Sequence, residues 1–346
     1  MNRTRFRFNE YSIAPDLPRH ILKQYAISGD NRSRAVLGLG ITDLCNLRCT
    51  FCYYRQDRTS GKRTVMTTEF LKRLLNGVGR VGTIMIGLEG EPLCHPDFTS
   101  MMELSAAYAD RTVLITNGLL LNADIVSVLN EYQVSSVMLS CDATTPETYR
   151  KLRRGGNIDV FINNARLLAS SCNAKVCIHS VVTQDNWHEL IRMPEFASGL
   201  GITHISLTQL RNNEWSNLNG IHRLSRAEIR EFTLAVCQEA EKCNVNIVFD
   251  YLYSDVEMGD WLRDVLATFR CAKTEFSRSC ISPWVSVSVL SDGRIFPCCG
   301  DIEPIYPESI NFDGIFNCKV LLKLRYMLSG QNLPEVCRMC RKGEYE

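Results

Sequence analysis

Short apolar runs alternate with longer amphipathic segments over roughly the first 250 residues of the chain. The apolar runs are short enough to be buried strands, and the amphipathic segments predict helices that pack one face on a core. Strands are predicted at 35–42, 83–88, 112–116, 135–140, 175–182 and 203–210. Helices are predicted between them at 67–78, 98–109, 123–132, 160–169 and 187–199.

This alternation predicts parallel strands that crossover helices join, all with the same hand. Six units are too few for a complete eight-stranded barrel, and no GxGxxG follows the first strand to support a dinucleotide-binding fold. One more helix is expected at 225–243, where Ser225 is a candidate N-cap and Glu228 follows three residues later.

The pattern changes after about residue 250. Two apolar stretches, 284–290 and 294–297, flank Ser291, Asp292 and Gly293, which is a hairpin signal. A helix is expected at 319–329, but this part of the chain is short for a hydrophobic core of its own. We therefore divide the chain into an N-terminal extension (1–34), a main domain (35–250) and a C-terminal domain (251–346).

Charge and length exclude several classes of protein. The 346 residues include 39 Lys and Arg against 38 Asp and Glu, for a net charge of +1. This balance argues against a broad nucleic-acid face or a polybasic membrane surface. No uncharged apolar run reaches the ~18 residues of a membrane helix, and the first residues do not resemble a secretory signal. The expected location is cytoplasmic, without nucleic-acid or membrane partners.

The cysteine content changes the picture, because 16 cysteines in a cytoplasmic chain point to metal or redox chemistry. Two sets stand out from the rest. The first set is Cys45, Cys49 and Cys52, and the second is Cys280, Cys298, Cys299, Cys318, Cys337 and Cys340. The scattered cysteines are expected to be small buried apolar residues.

The first set lies immediately after the first predicted strand, in the sequence DLCNLRCTFCYY. Three thiolates from one loop can hold three corners of a [4Fe–4S] cube and leave the fourth iron open. A structural zinc site would need a fourth Cys or His nearby, and none lies close in the sequence. This CxxxCxxC loop resembles that of the radical S-adenosylmethionine (SAM) enzymes. In that family the open iron binds SAM, which is cleaved to methionine and a 5′-deoxyadenosyl radical.

Four later segments resemble the SAM-contacting segments of the same family, in the same order along the chain. They are Glu89-Gly90-Glu91-Pro92 for GGEP, Thr116-Asn117-Gly118 for TNG, Ser140-Cys141-Asp142 for S-x-D, and Arg153. The resemblance implies that SAM is bound by Glu89, Gly90, Glu91, Thr116, Asn117, Ser140 and Arg153. Glu89 departs from the first glycine of the family pattern. From the residues alone, the first two segments are also compatible with an ordinary loop and a strand-ending turn, and Arg153 with a surface position.

The second cysteine set resembles the SPASM/Twitch extension of radical SAM enzymes. Cys280, twelve residues, Gly293, four residues and Cys298 fit its opening pattern. The resemblance implies the shorter Twitch form, with one auxiliary [4Fe–4S] cluster held by Cys280, Cys298, Cys337 and Cys340. A four-cysteine zinc site is the alternative that the same spacing allows. Cys299 could substitute in this set, whereas Cys271 and Cys318 are left outside it.

A substrate contact is expected on the fifth predicted strand, where Cys177, His179 and Val181 share one face. His179 is a candidate acid, base or substrate ligand, with a core histidine bonded to a carbonyl as the alternative. The expected fold class is α/β, with an incomplete (β/α)6 TIM-like barrel followed by a small C-terminal Twitch-like iron–sulfur domain. Active sites of such barrels lie at the carboxyl ends of the strands.

The resemblance implies a radical SAM enzyme that abstracts a hydrogen atom from a small polar substrate, in an oxidoreductase or related reaction. Sugars, aminocyclitols or nucleosides of natural-product and antibiotic biosynthesis are the expected substrates, because the 34 residues before the barrel are few for a peptide-recognition domain. The expected electron donor is a flavodoxin or ferredoxin. The alternatives are a peptide-modifying radical SAM enzyme and a non-catalytic iron–sulfur or zinc protein.

Overall fold

The computed structural model describes residues 29–52, 63–210, 224–250, 264–274, 282–296 and 309–329, with residues 26, 222, 261 and 304. Ten strands lie in this part of the chain. They are β1 (Val36–Leu39), β2 (Val81–Ile86), β3 (Ala109–Thr116), β4 (Ser136–Ser140), β5 (Lys175–Val182), β6 (His204–Gln209), β7 (Asn246–Asp250), β8 (Ala272–Thr274), β9 (Ser286–Val289) and β10 (Ile295–Phe296). All ten belong to one sheet, in the order β10-β9-β1-β2-β3-β4-β5-β6-β7-β8.

Strands β1 to β8 pair in parallel with their neighbours in sequence, so the carboxyl ends of these strands meet at one edge of the sheet. Strand β9 joins the other side of β1, also in parallel, with Val36 opposite Ser286. Strands β9 and β10 form an antiparallel hairpin. The predicted α/β fold with a mostly parallel sheet is therefore confirmed.

Helices connect the parallel strands of the described chain. They are α1 (Thr68–Val78), α2 (Phe98–Ala107), α3 (Ala123–Glu131), α4 (Pro146–Leu152), α5 (Ile158–Ser171), α6 (Trp187–Leu190), α7 (Met193–Gly199), α8 (Arg226–Cys243), α9 (Ser282–Val285), α10 (Phe312–Phe316) and α11 (Lys319–Ser329). Two short 3₁₀ helices lie at Gly29–Arg34 and Pro92–Cys94. None of the helices in the described part of the chain is long and apolar enough to cross a membrane.

Local sequence signals explain where several helices begin. The capping box that was predicted at α8 is present, since the Ser225 side chain accepts the Glu228 amide and the Glu228 side chain accepts the Ser225 amide. At α4 the Thr145 side chain is the N-cap, and Pro146 opens the first turn. The backbone N–H that proline lacks would have no partner within the helix at this position. Helix α4 and strands β7 and β8 were not predicted. The helix predicted at 187–199 is two helices, α6 and α7.

The two faces of the sheet differ in their exposure. Along β5 the side chains of Ile178, Ser180 and Val182 are buried, whereas Cys177, His179 and Val181 are only half-buried. The grouping of these residues predicted from strand periodicity is confirmed. We call the half-buried side the inner face. The buried side packs against the helices and forms most of the hydrophobic core.

The C-terminal part of the described chain packs directly on the main domain. Phe312 and Phe316 of α10 are fully buried and stack with ring centroids 4.8 Å apart. Both rings belong to the same core cluster as Leu75 and Val78 of α1. The guanidinium of Arg32, in the N-terminal extension, lies 4.7 Å from the Phe312 ring centroid, a cation–π distance. The predicted cluster ligands Cys280, Cys298, Cys337 and Cys340, and also Cys299, lie outside the described residues.

Candidate active site

The cysteine loop, residues 43–52, leaves the carboxyl end of β1. Cys45, Cys49 and Cys52 are all half-buried there. The loop is fixed on the end of α4 and the segment that follows it, because the Thr50 amide donates to the Leu152 carbonyl at 2.9 Å and the Arg48 amide to the Arg154 carbonyl at 2.8 Å. Three thiols therefore lie on one anchored loop at the edge of the sheet where barrel enzymes place their chemistry.

The electrostatic environment of this loop is dominated by burial. Burial raises the pKa of the Cys49 thiol to about 12, an effect that the Arg153 charge opposes and that Cys52, Asp142 and Cys45 reinforce. An unliganded Cys49 is therefore a thiol at neutral pH, and binding as a metal thiolate must release its proton.

Arg153 lies beneath the cysteine loop rather than at the surface. Its Nε is 2.6 Å from Oδ2 of Asp142, with side chains 7% and 0% exposed. These two atoms do not align as a directional hydrogen bond, so the attraction is between the charges. Burial lowers the pKa of Arg153, but the negative charge of Asp142, together with smaller contributions from Cys49, Tyr149 and Cys141, raises that pKa above the ordinary value. The other Asp142 oxygen accepts the Val181 amide at 2.7 Å.

Glu91 connects two of the segments that were predicted to contact SAM. One of its carboxylate oxygens accepts the Thr116 hydroxyl at 2.6 Å, and the other accepts the Asn117 amide at 2.7 Å. The Asn117 side-chain amide in turn donates to Asn46 in the cysteine loop at 2.7 Å. Burial raises the pKa of Glu91, against the lowering effect of these hydrogen bonds. The structure thus brings the GEP and TNG segments together beside the cysteine loop.

Glu89 is also buried, but its carboxylate points away from Glu91. It accepts both the amide and the hydroxyl of Ser291, which lies in the turn between β9 and β10, at 3.1 and 2.8 Å. Gly90, between the two glutamates, has a φ of +62° and lies so close to the Thr42 and Leu44 carbonyls that a Cβ would clash with both.

Ser140 and His179 form a polar row on the inner face. Ser140 lies opposite His179 in the β4–β5 register, and His179 lies opposite Ser206 in the β5–β6 register. The His179 Nδ1 atom is 3.1 Å from the Ser206 hydroxyl oxygen. Burial lowers the pKa of His179, with Asp142 opposing and Arg153 adding to this effect, so the imidazole is neutral at pH 7.

Two of the seven scattered cysteines, Cys141 and Cys237, are fully buried as expected. The other five are half-buried: Cys94, Cys172, Cys177, Cys243 and Cys271. Cys318 of the second set is also half-buried. The Cys141 thiol donates to the Ala143 carbonyl at 3.2 Å. Burial raises the pKa of the Cys177 thiol, on the inner face, to about 11.

The arrangement of the donors distinguishes between a single metal ion and an iron–sulfur cluster. Within the described ranges, no three His, Cys, Asp or Glu side chains converge on one point as a single metal ion requires. An iron–sulfur cube takes each protein ligand on a different corner, so its thiolates need not converge. Three half-buried thiols on one loop, next to the half-buried inner face, fit such a cube with one iron left for another ligand.

Comparison with known proteins supports this assignment. Residues 39–197 match the family model "Radical SAM superfamily". The chain is 30% identical to a GTP 3′,8-cyclase of Caulobacter vibrioides over 182 residues, which is 51% of this chain and 52% of that protein. It is 24% identical to a PqqA peptide cyclase of Gluconobacter oxydans over 315 residues, which is 88% of this chain and 82% of that protein.

The fold is also similar to that of SuiB from Streptococcus suis. The structure with bound S-adenosylmethionine superposes with a TM-score of 0.61 at 18% identity, over 88% of this chain and 77% of SuiB. The structure with the precursor peptide SuiA gives a TM-score of 0.59 at 20% identity, over 76% of this chain and 59% of SuiB.

Residues 39–197, a little under half of the chain, are thus similar to the radical SAM superfamily, as the cysteine loop implied. The similarity to that family makes a [4Fe–4S] cluster and SAM the candidate cofactors. The chain spans about half the length of the GTP 3′,8-cyclase that it matches.

Proposed function

We propose that this protein is a radical SAM enzyme in which Cys45, Cys49 and Cys52 hold a [4Fe–4S] cluster. The observation that carries the proposal is the anchored cysteine loop at the carboxyl end of β1, beside the half-buried inner face. When bound, the cluster and SAM supply a 5′-deoxyadenosyl radical that abstracts a hydrogen atom from carbon. The reaction class follows from the family match.

The residues around the loop have separate roles in this proposal. The Glu91 carboxylate accepts the Asn117 backbone amide, and the Asn117 side chain donates to Asn46. These hydrogen bonds keep the segments proposed to bind SAM in a fixed position relative to the cysteine loop. Ser140 and His179 line the inner face where SAM and substrate would meet, and the neutral His179 imidazole can accept or donate a hydrogen bond there. Gly90 gives the backbone at Glu91 its close approach to the loop.

We propose a peptide as the substrate, in place of the sugar, aminocyclitol or nucleoside expected from the sequence. The support is the length of the match to the PqqA peptide cyclase, which covers 88% of this chain, together with the fold of SuiB, whose structure holds the precursor peptide SuiA. The expectation of a sugar or aminocyclitol rested on the short segment before the barrel, and no similar protein reported above is named for such a substrate.

A nucleotide substrate is the second candidate. The similarity to GTP 3′,8-cyclase favours it, at the highest identity of the relatives reported above. That match covers only 51% of this chain, whereas the peptide cyclase match extends into the C-terminal region. The peptide therefore remains our first proposal.

The C-terminal region, 251–346, is proposed to hold an auxiliary [4Fe–4S] cluster on Cys280, Cys298, Cys337 and Cys340. Four thiolates fill all four irons of such a cube, which suits electron transfer better than substrate binding. The proposal also includes an external one-electron donor of the flavodoxin or ferredoxin type, and a main domain at 35–250 after the extension at 1–34.

The test is anaerobic reconstitution followed by measurement of iron and of SAM cleavage. Two cubes predict about eight irons per chain. The triple substitution Cys45→Ala, Cys49→Ala and Cys52→Ala should remove about half of them and abolish 5′-deoxyadenosine formation. Substituting the remote half-buried Cys172 and Cys243 by Ala should change neither quantity. SAM cleavage that survives the triple substitution would show that the loop is not the cofactor site.

Substrate class is tested separately with deuterated compounds. Perdeuterated candidate precursor peptides and perdeuterated GTP are each incubated with reduced enzyme and SAM, and deuterium in 5′-deoxyadenosine is measured by mass spectrometry. Transfer from a peptide and not from GTP is the expected result. Transfer from GTP alone would replace the peptide proposal by the nucleotide one.

A further inference from the structure

Glu89 stands where the related enzymes have the first glycine of their GGEP segment, and the structure uses its carboxylate inside the protein. One oxygen, Oε2, accepts the amide of Ser291 at 3.1 Å and its hydroxyl at 2.8 Å. Both residues are buried, so water cannot replace either bond. The residues are 202 positions apart in the chain, so the contact joins β2 to the β9–β10 turn.

A second contact carries this link to the cysteine loop. The Ser291 hydroxyl oxygen is 2.6 Å from the Thr64 hydroxyl oxygen. The Thr64 amide donates to the Asp43 carboxylate at 3.1 Å, and the Asp43 amide donates to the Thr64 carbonyl at 3.1 Å. Asp43 begins the cysteine loop and is two residues before Cys45. Four segments of the chain thus meet in one hydrogen-bonded series: Glu89, Ser291, Thr64 and Asp43.

The backbone around Glu89 is adapted to this arrangement. A Cβ on Gly40 would lie 2.7 Å from the Glu89 Cβ and 3.2 Å from its Oε2, so any larger residue at position 40 would displace the carboxylate. Burial raises the pKa of Glu89, and the Ser291 hydrogen bonds oppose that rise. A buried carboxylate would be costly here unless its two bonds to Ser291 were made.

We infer that Glu89 is a positioning residue that, through Ser291 and Thr64, holds the first turn of the cysteine loop in its place for the cluster. This inference rests on the proposed function, because it assigns Glu89 a part in orienting ligands that the proposal names. The Glu89 carboxylate reaches the cysteine loop only through Ser291 and Thr64, whereas the Glu91 carboxylate bonds directly to the TNG segment. Partners that orient metal ligands typically change metal affinity 10–100-fold when they are removed.

The test uses the reconstituted full chain with Glu89→Ala, Glu89→Gln and Ser291→Ala. The measured quantities are iron loss to a chelator and the electron paramagnetic resonance spectrum of the reduced protein, before and after SAM addition. Only the cluster that binds SAM changes its spectrum on SAM addition, so an auxiliary cluster does not interfere. Glu89→Ala should weaken iron retention about tenfold and alter the SAM-dependent spectrum.

Conservative rescue and coupling separate positioning from simple stabilisation. Gln can place its carbonyl oxygen at the Oε2 position, so Glu89→Gln should recover most of the wild-type spectrum. The double variant Glu89→Ala/Ser291→Ala should lose no more than Glu89→Ala alone, because both act in one series. Glu103→Ala, which removes an exposed glutamate from α2, is the matched control and should equal wild type.

Two results would overturn different claims. If Glu89→Ala lowers the melting temperature but leaves iron retention and the SAM-dependent spectrum at wild-type values, Glu89 is only a structural residue and the inference fails. If the wild-type protein itself shows no SAM-dependent spectrum, the proposed function fails instead.

Discussion

The buried ion pair between Asp142 and Arg153 offers a direct test of the structure. Asp142→Asn keeps the shape of the side chain and an oxygen for the Val181 amide, but it removes the negative charge next to the Arg153 guanidinium. The guanidinium is 7% exposed, so water cannot replace the lost carboxylate. The neighbouring Cys49 cannot replace it either, because burial raises the pKa of its thiol to about 12 and keeps it neutral.

The expected cost is set by the burial of both partners. Removing one partner of a buried pair typically costs about 3–5 kcal/mol, because the other charge is left uncompensated. The exposed pair Arg80–Asp110 is a matched control, since its atoms are 2.7 Å apart but its side chains are 58% and 50% exposed. Solvent screening reduces such a pair to about 0–1 kcal/mol, which is the expected cost of Asp110→Asn.

The assay is urea unfolding of the metal-free protein, with the unfolding midpoint compared at unchanged slope. Asp142→Asn should lower the free energy of unfolding by about 3–5 kcal/mol, and Arg153→Met by a similar amount. The double substitution should cost less than their sum by at least about 2 kcal/mol, because it removes both charges together. An Asp142→Asn cost as small as that of Asp110→Asn, or additive single costs, would contradict a buried ion pair at this position.

Three further predictions concern single residues of the same edge of the sheet. Gly87→Ala should destabilise the fold by about 3 kcal/mol, because Gly87 has a φ of +107° and an added Cβ would lie 2.2 Å from the Ile115 carbonyl oxygen. The control is Gly199→Ala, where nothing lies near the added Cβ, and it should stay within about 1 kcal/mol of wild type in the same urea assay. His179→Gln should reduce the loss of unfolding free energy that the wild type shows on acidification. Burial lowers the pKa of His179 from 6.5, so the unfolded chain takes up a proton that the folded chain resists, and wild-type stability is lost as the pH falls below about 6.5. Equal slopes for the variant and wild type between about pH 7.5 and 5.5 would contradict the burial of this imidazole. Glu91→Ala should lower the free energy of unfolding by about 3 kcal/mol or more, because it removes the acceptor of several buried donors at about 1–3 kcal/mol each. In thermal unfolding, the melting temperature of Glu91→Gln should lie between those of Glu91→Ala and wild type.

The sequence was most informative where the structure depends on local pattern. The six predicted strands appear as β1 to β6 within a few residues, because runs of β-branched residues are both local and periodic. Strand β8 has three residues and α4 has seven, which is too short for periodicity to stand out. Thr145 and Pro146 did carry a helix-start signal, since Thr is a good N-cap and proline suits the first helical position.

The candidate site was only partly predictable, because its contacts join distant parts of the chain. The family motifs indicated the cysteine loop and the segments beside it. They did not indicate that Arg153 pairs with Asp142 inside the protein, or that Glu89 accepts from Ser291, 202 positions away. Such pairings depend on which strand ends are neighbours, and the place of β9 beside β1 in the sheet has no local sequence signal.

The position of β9 has a consequence for biosynthesis. Until residues 286–289 have been made, β1 has a partner on only one side, so the strand that precedes the cysteine loop remains an edge strand. Ser286, the β9 partner of Val36, is synthesised about 250 residues after it, which takes roughly 10–50 s at ordinary translation rates. The nascent chain therefore emerges with β1 paired on one side only at the base of its cysteine loop, and the second partner comes only once β9 has been made.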